Sequence, residues 1–245
     1  MSVPCEQCPL RLTPLFRPFS ENELGFIGRM KTDHIVVAPR AHIMHEDEIG
    51  GPVYTLFEGW AIRYHRLPNG GRQILDIMLP GDTIGLASAL LGRIKHSVQA
   101  ITTATLCVLE ARSFPDLFSD HPALALNILQ TRLAEEQRMD IRLSLLGRSD
   151  AEQRIAYLML ETFDRLRQRG IGHGGSTCPF PLQRRDLADA VGLSTVHVGR
   201  TLGSLRERRL ADIQNGMLIL FDREKLAELA SYVPTGDAKG RRAIL

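Results

Sequence analysis

Four cysteines are the residues of this 245-residue chain whose type most directly suggests chemistry. Cys5 and Cys8 form a Cys-x-x-Cys pair near the N-terminus, while Cys107 and Cys178 lie far along the chain. Four cysteines in so long a chain do not make a disulfide scaffold, and the N-terminal stretch has polar and proline breaks where an export signal needs an apolar core. We therefore expect reduced thiols or metal ligands in a cytoplasmic protein.

Arginines form a second concentration of functional groups, near the C-terminus. Residues 184–209 hold six arginines against three acidic side chains, and residues 148–245 carry a net charge of +4 while residues 1–147 carry −2. Because basic side chains neutralise phosphates, this asymmetry places any polyanionic partner on the C-terminal part.

Enzyme signatures do not accompany these groups. Gly-x-Ser-x-Gly, a phosphate loop, a dinucleotide fingerprint and His-Glu-x-x-His are all missing from the sequence. The carboxylate pair Glu135-Glu136 falls on a helix and is expected to be solvated. No run of about 18 apolar residues exists either, so we predict neither an enzyme nor a membrane partner.

The chain has the pattern of short strands from Phe19 to about Cys107. Val, Ile, Leu, Tyr and Phe are concentrated in runs separated by glycine- and proline-containing turns, and such spacing predicts an antiparallel sandwich or barrel. The predicted strands cover residues 34–37, 53–57, 60–64, 73–78 and 105–109.

A long helix is predicted over residues 123–147, which contain no proline and no glycine before Gly147. Apolar residues recur there with mostly three- and four-residue spacing. They are Leu126, Leu129, Leu133, Met139, Leu143 and Leu146. The stripe either docks on its own domain or forms a seam with a second copy, and a helix of this length between two domains favours the seam of a homodimer.

The C-terminal part predicts a winged helix-turn-helix. Four helices are predicted, with a hairpin that turns at Asn215-Gly216 between the third and the fourth. The helices cover residues 151–169, 182–191, 195–209 and 223–232. The helix from residue 195 presents Thr195, His197 and Arg200, and such a helix can enter the major groove of DNA. The alternative is a solvated pair of charged helices in some other helical domain.

These motifs together resemble the Crp/Fnr transcription regulators, from about residue 19 to 232. Residues 54–61 (YTLFEGWA) and 79–85 (LPGDTIG) are similar to the family's sensor domain, and 199–202 (GRTL) to its recognition helix. The resemblance implies an α+β fold with the following parts: an N-terminal tail with Cys-x-x-Cys (1–18), a β jelly roll of the cyclic-nucleotide-binding type (19–120), a dimerisation helix (121–147), a winged helix-turn-helix (148–232) and a polar tail (233–245).

The family resemblance also implies a function. We expect a homodimeric activator that binds a two-fold symmetric operator in double-stranded DNA and contacts RNA polymerase. The alternative is a nucleotide- or haem-binding regulatory module without direct gene control.

An effector pocket is implied at Gly81, Asp82, Gly85, Leu86, His96 and Ser97. Cyclic-AMP-responsive members have a glutamate and an arginine where this chain has Leu86 and His96. Leucine accepts no hydrogen bond from a ribose, and histidine is a weaker phosphate partner than arginine. Cyclic AMP is therefore not the expected effector.

Oxygen-sensing members of the family hold an iron–sulfur cluster on four cysteines. Cys5, Cys8 and Cys107 resemble three of these ligands, while Phe16 falls near the missing fourth. A cluster, redox-active thiols and structural remnants all remain open. Haem is a further alternative, through histidines such as His34, His42, His45 and His65.

Seven residues are the predicted DNA contacts. In the family, a glutamate at the position of Val196 reads cytosine and an arginine at the position of Arg200 reads guanine. Val196 has no acceptor, so the half-site is expected to differ from the usual cytosine-containing one. Ser194, Thr195 and His197 are candidate secondary contacts, and Gln183 and Arg184 match the family's phosphate contacts.

Overall fold

The computed structural model describes residues 3–172 and 175–234. Most of the predicted polar tail therefore lies outside the described residues. No helix in the described ranges is long and apolar enough to cross a membrane.

Two compact units make up this part of the chain. Residues 3–66 and 76–135 belong to the first, and residues 67–75 and 136–234 belong to the second. The domain boundaries drawn from the sequence stay predictions.

Helix α1 (Glu21–Met30) opens the regular structure of the first unit. The predicted pattern of strands from Phe19 onward is wrong over these residues, which form a helix. Ser20 and Glu23 form a capping box, in which each side chain accepts a hydrogen bond from the backbone N–H of the other. This local signal starts a helix within a region that otherwise has the composition of strands.

Two four-stranded sheets follow, with the orders β1-β8-β3-β6 and β2-β7-β4-β5. Their strands are β1 (Lys31–Val37), β2 (His42–Met44), β3 (Val53–Glu58), β4 (Ala61–Arg66), β5 (Arg72–Met78), β6 (Thr83–Ile84), β7 (Ser97–Ala100) and β8 (Ala104–Leu109). All five predicted strands are present. Strands β2, β6 and β7 were not predicted, because they are too short to show an alternating pattern. Leu56, Val98 and Leu106 are fully buried among the core residues of these sheets.

Three helices complete this stretch: α2 (Leu86–Leu91), α3 (Phe114–Asp120) and α4 (Pro122–Arg148). The long predicted helix is confirmed as α4. It begins with a proline, which suits a first helical position because the missing N–H would have no partner there. Helices α2 and α3 were not predicted, since six or seven residues carry little periodic signal.

The second unit contains the elements of a winged helix-turn-helix. They are α5 (Ala151–Gln168), β9 (Thr177–Pro179), α6 (Arg184–Val191), α7 (Thr195–Glu207), β10 (Ala211–Gln214), β11 (Met217–Leu220) and α8 (Arg223–Ala230). Asp150 caps α5 through its carboxylate, which accepts from Gln153 N. The predicted hairpin is present as β10 and β11, and β9 adds a third strand that the sequence did not reveal.

Candidate nucleic-acid interface and sensor cavities

The turn between helices α6 and α7 is fixed by local hydrogen bonds. Gln183 N donates to Asp186 Oδ2 at 2.9 Å and so closes the start of α6. Gly192 follows that helix with a φ of +67°, which glycine adopts without strain. Ser194 caps α7, its hydroxyl oxygen accepting from His197 N at 3.2 Å. These caps decide which residues stand at the exposed start of α7.

Helix α7 has a buried inner face and a polar outer face. Val198 and Leu205 are fully buried, while Val196 on the outer face is 63% exposed. All seven predicted DNA contacts are exposed: Gln183, Arg184, Ser194, Thr195, Val196, His197 and Arg200. The outer face therefore presents a cation, hydroxyl groups, an imidazole and one apolar side chain to solvent.

Arg184 lies against this outer face, which the sequence did not predict. A methyl group on Gly199 Cα would lie 3.5 Å from Cζ, Nε and Nη1 of Arg184. Gly199 follows Val196 by three residues, so the two are neighbours on the helix surface, and Arg200 follows Val196 by four. The guanidinium from α6 thus adds a second cation to the face that carries Arg200.

The hairpin of β10 and β11 turns at Asn215 and Gly216, as predicted. Both residues have positive φ, +50° and +73°, as a two-residue type I′ turn requires. Gln214 and Met217 pair on either side of the turn. The described strands thus form the wing that accompanies the helix-turn-helix.

Three thiols line one cavity of about 50 Å³ in the first unit. Cys5 lies in a short 3-10 turn, Cys8 follows it directly, and Cys107 lies on β8. Phe16, which the resemblance placed near the missing ligand, lines the same cavity. The fold thus brings together two thiols of the tail and one that is about a hundred residues away in sequence.

His34 is a further polar group at this site, although nothing in its sequence context places it with the thiols. Its Nε2 lies 3.0 Å from Cys107 Sγ. The antiparallel register of β1 and β8 pairs the two residues directly. A correct strand pairing was the only signal that would have found this contact.

Burial favours the neutral forms of Cys5, Cys107 and His34. It raises the pKa of Cys107 to about 12 and also raises the pKa of Cys5, while it lowers the pKa of His34. The thiol, unlike the thiolate, is a poor nucleophile and a poor metal ligand. Within residues 3–172 and 175–234, no three His, Cys, Asp or Glu side chains are grouped so as to hold a single metal ion.

A second cavity in the first unit, of about 30 Å³, contains part of the predicted effector pocket. Gly85, Leu86 and His96 line it, together with Arg63 and Arg132, which were not predicted. Burial, followed by the nearby cations, lowers the pKa of His96 to about 4. The positive charge at this cavity therefore comes from the two arginines rather than from His96.

The other three predicted effector residues do not line this cavity. Asp82 Oδ2 accepts from Leu79 N at 2.8 Å, and the Ser97 hydroxyl oxygen accepts from Glu46 N at 3.1 Å. Gly81 has a φ of +95°, and a side chain there would meet first Leu15 and then Phe16. These residues shape the turn and the neighbouring backbone.

Comparisons with known proteins agree with this geometry. Residues 34–121 match the cyclic nucleotide-binding domain, and residues 153–229 match the Crp-like helix-turn-helix domain. The transcriptional activatory protein AadR of Rhodopseudomonas palustris is 32% identical over 189 residues, which cover 76% of this chain and 77% of AadR. This chain belongs to the Crp/Fnr family.

Further relatives extend the match along the chain. The nitrogen fixation regulation protein FixK of Bradyrhizobium diazoefficiens is 28% identical over 230 residues, covering 93% of this chain and 94% of FixK. The structure of FixK2 from Bradyrhizobium japonicum superposes with a TM-score of 0.72 at 25% identity, covering 82% of this chain and 98% of that one. The predicted fold class is confirmed, and the chain is a DNA-binding transcription regulator of the Crp/Fnr family rather than an enzyme.

The apolar stripe of α4 is largely uncovered in this Crp/Fnr chain. Leu126, Leu129, Leu133, Met139 and Leu143 are 41–71% exposed. Leu146 differs, because it is half-buried and its Cδ2 would lie 3.4 Å from a Cβ on Gly192. Its side chain thus supports the turn of the helix-turn-helix.

The histidines proposed as haem ligands have local contacts. Besides His34 at Cys107, His42 Nε2 lies 2.8 Å from the Tyr64 hydroxyl, and the His42 ring contacts the tilted ring of His45 with centroids 4.3 Å apart. His65 Nδ1 lies 3.2 Å from Glu46 Oε1. Each of these histidines thus has a polar or ring partner within the first unit.

Proposed function

We propose that this Crp/Fnr protein is a homodimeric transcriptional activator that reads a two-fold symmetric operator and takes its signal at the thiol cavity. The observation that carries the proposal is the outer face of α7, where Arg200 and Val196 are exposed beside Arg184. Similarity to AadR, which is named as an activatory protein, supports activation. An activator acts on RNA polymerase at a promoter, so contact with the polymerase and a cytoplasmic location are part of the proposal.

Base reading is assigned to Arg200 and Val196. The Arg200 guanidinium donates two parallel hydrogen bonds to O6 and N7 of guanine. Val196 accepts no hydrogen bond from cytosine, but its isopropyl group packs on a thymine methyl. Gln183 and Arg184 at the start of α6 hold phosphates, with Ser194, Thr195 and His197 as secondary contacts. The half-site is therefore one with guanine and thymine at these positions.

The stripe on α4 supplies the dimer seam. Leu126, Leu129 and Leu133 are each about half exposed along successive turns of one helix. Apolar residues repeated in this way pack against the same residues of a second copy. Pairing would present two α7 helices to successive major grooves, whose spacing is about 34 Å.

The thiol cavity is the proposed signal site, and its two candidate chemistries are an iron–sulfur cluster held by the cysteines and oxidation of the thiols themselves. Three cysteine thiols and the imidazole at 3.0 Å from Cys107 give the donor types that such clusters use. Cys5, Cys8 and Cys107 would hold the cluster, with His34 as the non-cysteine ligand. A bound cluster supplies iron that reacts with oxygen or nitric oxide. Leu86 and the neutral His96 argue against cyclic AMP at the other cavity.

Selection of DNA from a random pool of duplexes tests the reading proposal. The wild-type protein should enrich a sequence with two-fold symmetry and a guanine at equivalent positions of both halves. Arg200→Ala should still bind DNA but lose the preference for that guanine, since it removes the bidentate donor. Enrichment of sequences without symmetry, or unchanged preference in the variant, would contradict the assignment.

Purification without oxygen tests the proposed signal site. Wild-type protein should contain about four irons per chain, with matching sulfide and a broad visible absorbance. Cys107→Ala should lose this iron. Cys178→Ala is the matched control and should keep it, because Cys178 is buried in the second unit. Colourless, iron-free wild-type protein would overturn the cluster proposal and leave oxidation of the thiols to be tested.

A further inference from the structure

The hairpin between strands β4 and β5 contributes residues to the second unit. Residues 67–75 belong to the same compact unit as residues 136–234. Arg72 Nη2 donates to Asp186 Oδ1 at 2.6 Å, and Arg72 Nε donates to Asp189 Oδ2. Gln73 Nε2 donates to the carbonyl oxygen of Ala190 at 3.2 Å. These three contacts, which we term the Arg72 clamp, all go to helix α6.

The clamp is protected from water. The side chain of Asp186 is completely buried, and those of Arg72 and Asp189 are 11% and 21% exposed. A buried carboxylate that loses its cation is left as an uncompensated charge, which is far more costly than the loss of a surface ion pair. The clamp therefore constrains α6 strongly.

Asp186 connects the clamp to the residues that face DNA. Its Oδ1 accepts from Arg72, while its Oδ2 accepts from Gln183 N at the start of α6. Gln183 is followed by Arg184, whose guanidinium lies against Gly199 of α7. One carboxylate thus ties the hairpin to the end of α6 from which both proposed phosphate contacts project.

A second arginine holds the other end of the hairpin segment. Arg142 Nη1 donates to the carbonyl oxygen of Leu75 at 2.9 Å, and Arg142 Nε donates to Glu161 Oε2 at 2.9 Å. Glu161, on α5, is 1% exposed. Residues 72–75 are therefore fixed at both ends against helices of the second unit, which makes Arg72 a rigid support rather than a loose surface contact.

We propose that Arg72 is a positioning residue for DNA binding, which holds the start of helix α6 in register through Asp186. Arg72 itself makes no contact with DNA in this assignment. The inference rests on the proposed DNA face, because it assigns the alignment of Gln183 and Arg184 to the clamp. Loss of Arg72 should misalign these two residues without removing a cation from the interface.

Binding titrations over a range of salt test this role, with the duplex selected by wild-type protein and an unrelated duplex of equal length. Arg72→Ala should weaken binding to the selected duplex by roughly tenfold. The slope of log affinity against log salt should stay unchanged, whereas Arg184→Ala should reduce it by about one for each phosphate that is no longer neutralised. Arg66→Ala, an exposed arginine at the end of β4, is the matched control and should leave the affinity unchanged.

A second-site rescue separates positioning from mere support of the fold. Asp186→Asn removes the buried charge but keeps an oxygen that accepts from Gln183 N. The double variant Arg72→Ala/Asp186→Asn should therefore bind within about threefold of Asp186→Asn alone. If Arg72→Ala does not fold, Arg72→Lys replaces it, and it should bind with intermediate affinity because an ammonium lacks the planar fork.

Three results would overturn the inference: wild-type affinity in folded Arg72→Ala, a reduced salt slope in that variant, or failure of Asp186→Asn to rescue it.

Hydrogen exchange of the full chain without DNA gives an independent readout. The α6 amides (residues 184–191) should exchange faster in Arg72→Ala, while those of α8 should not change. Unchanged exchange in α6 would contradict the clamp, whether or not the wild-type protein selects a duplex. Failure of the wild-type protein to select any duplex would count against the operator proposal and not against the clamp.

Discussion

The outer face of helix α7 and the cavities of the first unit keep their functional groups in opposite environments. Thr195, Val196 and Arg200 are exposed to solvent, whereas burial shifts the pKa of Cys107 to about 12 and that of His96 to about 4. An exposed cation attracts phosphates without any change of structure. Groups held neutral by burial bind an ion or a ligand only when it displaces their protons or when the cavity opens. One region therefore exposes its charged and polar groups, whereas the other encloses its groups in uncharged form.

The largest expected effect on operator binding comes from charge on the apolar stripe. Such charge leaves the α7 face of each chain intact but prevents the chain from pairing with a second copy. Leu129→Glu combined with Leu133→Glu places like charges opposite each other in the seam and should give a monomer. Operator affinity should fall by about a hundredfold or more, because the two half-sites are no longer bound together. Sedimentation and gel-shift titration measure the two effects. Leu129→Met with Leu133→Met is the apolar control, and a charged variant that remained dimeric would refute the seam.

A single change on the reading face should have the next largest effect. Arg200→Ala should cost about 1–3 kcal/mol of specific binding per half-site, because the variant cannot donate the two hydrogen bonds to guanine. Titration of the selected operator against one with the guanine replaced measures it, and the variant should bind both equally. Arg206→Ala, further along the same helix, should change the specific affinity less. Wild-type discrimination by Arg200→Ala would show that another residue reads the guanine.

The next prediction concerns His96 and the stability of the folded protein, which should depend on pH. The folded-state pKa of about 4 lies below the ordinary value of 6.5, so between these values the unfolded chain binds more protons. Stability should therefore fall as the pH drops from 7 to 5, by about 1 kcal/mol once screening of the partly exposed ring is considered. Urea unfolding of His96→Gln should lack this component. His197→Gln, an exposed histidine of α7, serves as control and should retain it.

The smallest expected effect concerns the one apolar side chain on the reading face. Val196→Ala should lower the preference for thymine at one position of each half-site by about 0.5–1 kcal/mol, because a smaller side chain covers less of the thymine methyl group. Val196→Glu should instead shift the preference to cytosine, whose amino group donates to a carboxylate. Repeating the duplex selection with both variants measures the preference. Unchanged sequence preference in both would place Val196 away from the bases.

Elements whose signals are local could be predicted from the sequence. The cap at Ser194, the turn at Gly192 and the Asn215-Gly216 hairpin depend on neighbouring residues, and the structure contains all three. The long α4 follows from a run of helix formers. Helix α1 shows the limit of the approach, because a capping box at Ser20 outweighed a composition typical of strands.

The sequence by itself thus determined the long helix α4, the hairpin turn and the exposed face of α7, since each follows from periodicity and turn chemistry over a few residues. The class of regulator followed from the resemblance of these motifs to a known family. Only the tertiary structure decided which distant side chains meet. His34 meets Cys107 across 73 residues and Arg72 meets Asp186 across 114. Side-chain periodicity fixes the face of an element but not its partner, because strand register and packing between elements depend on the whole folded chain.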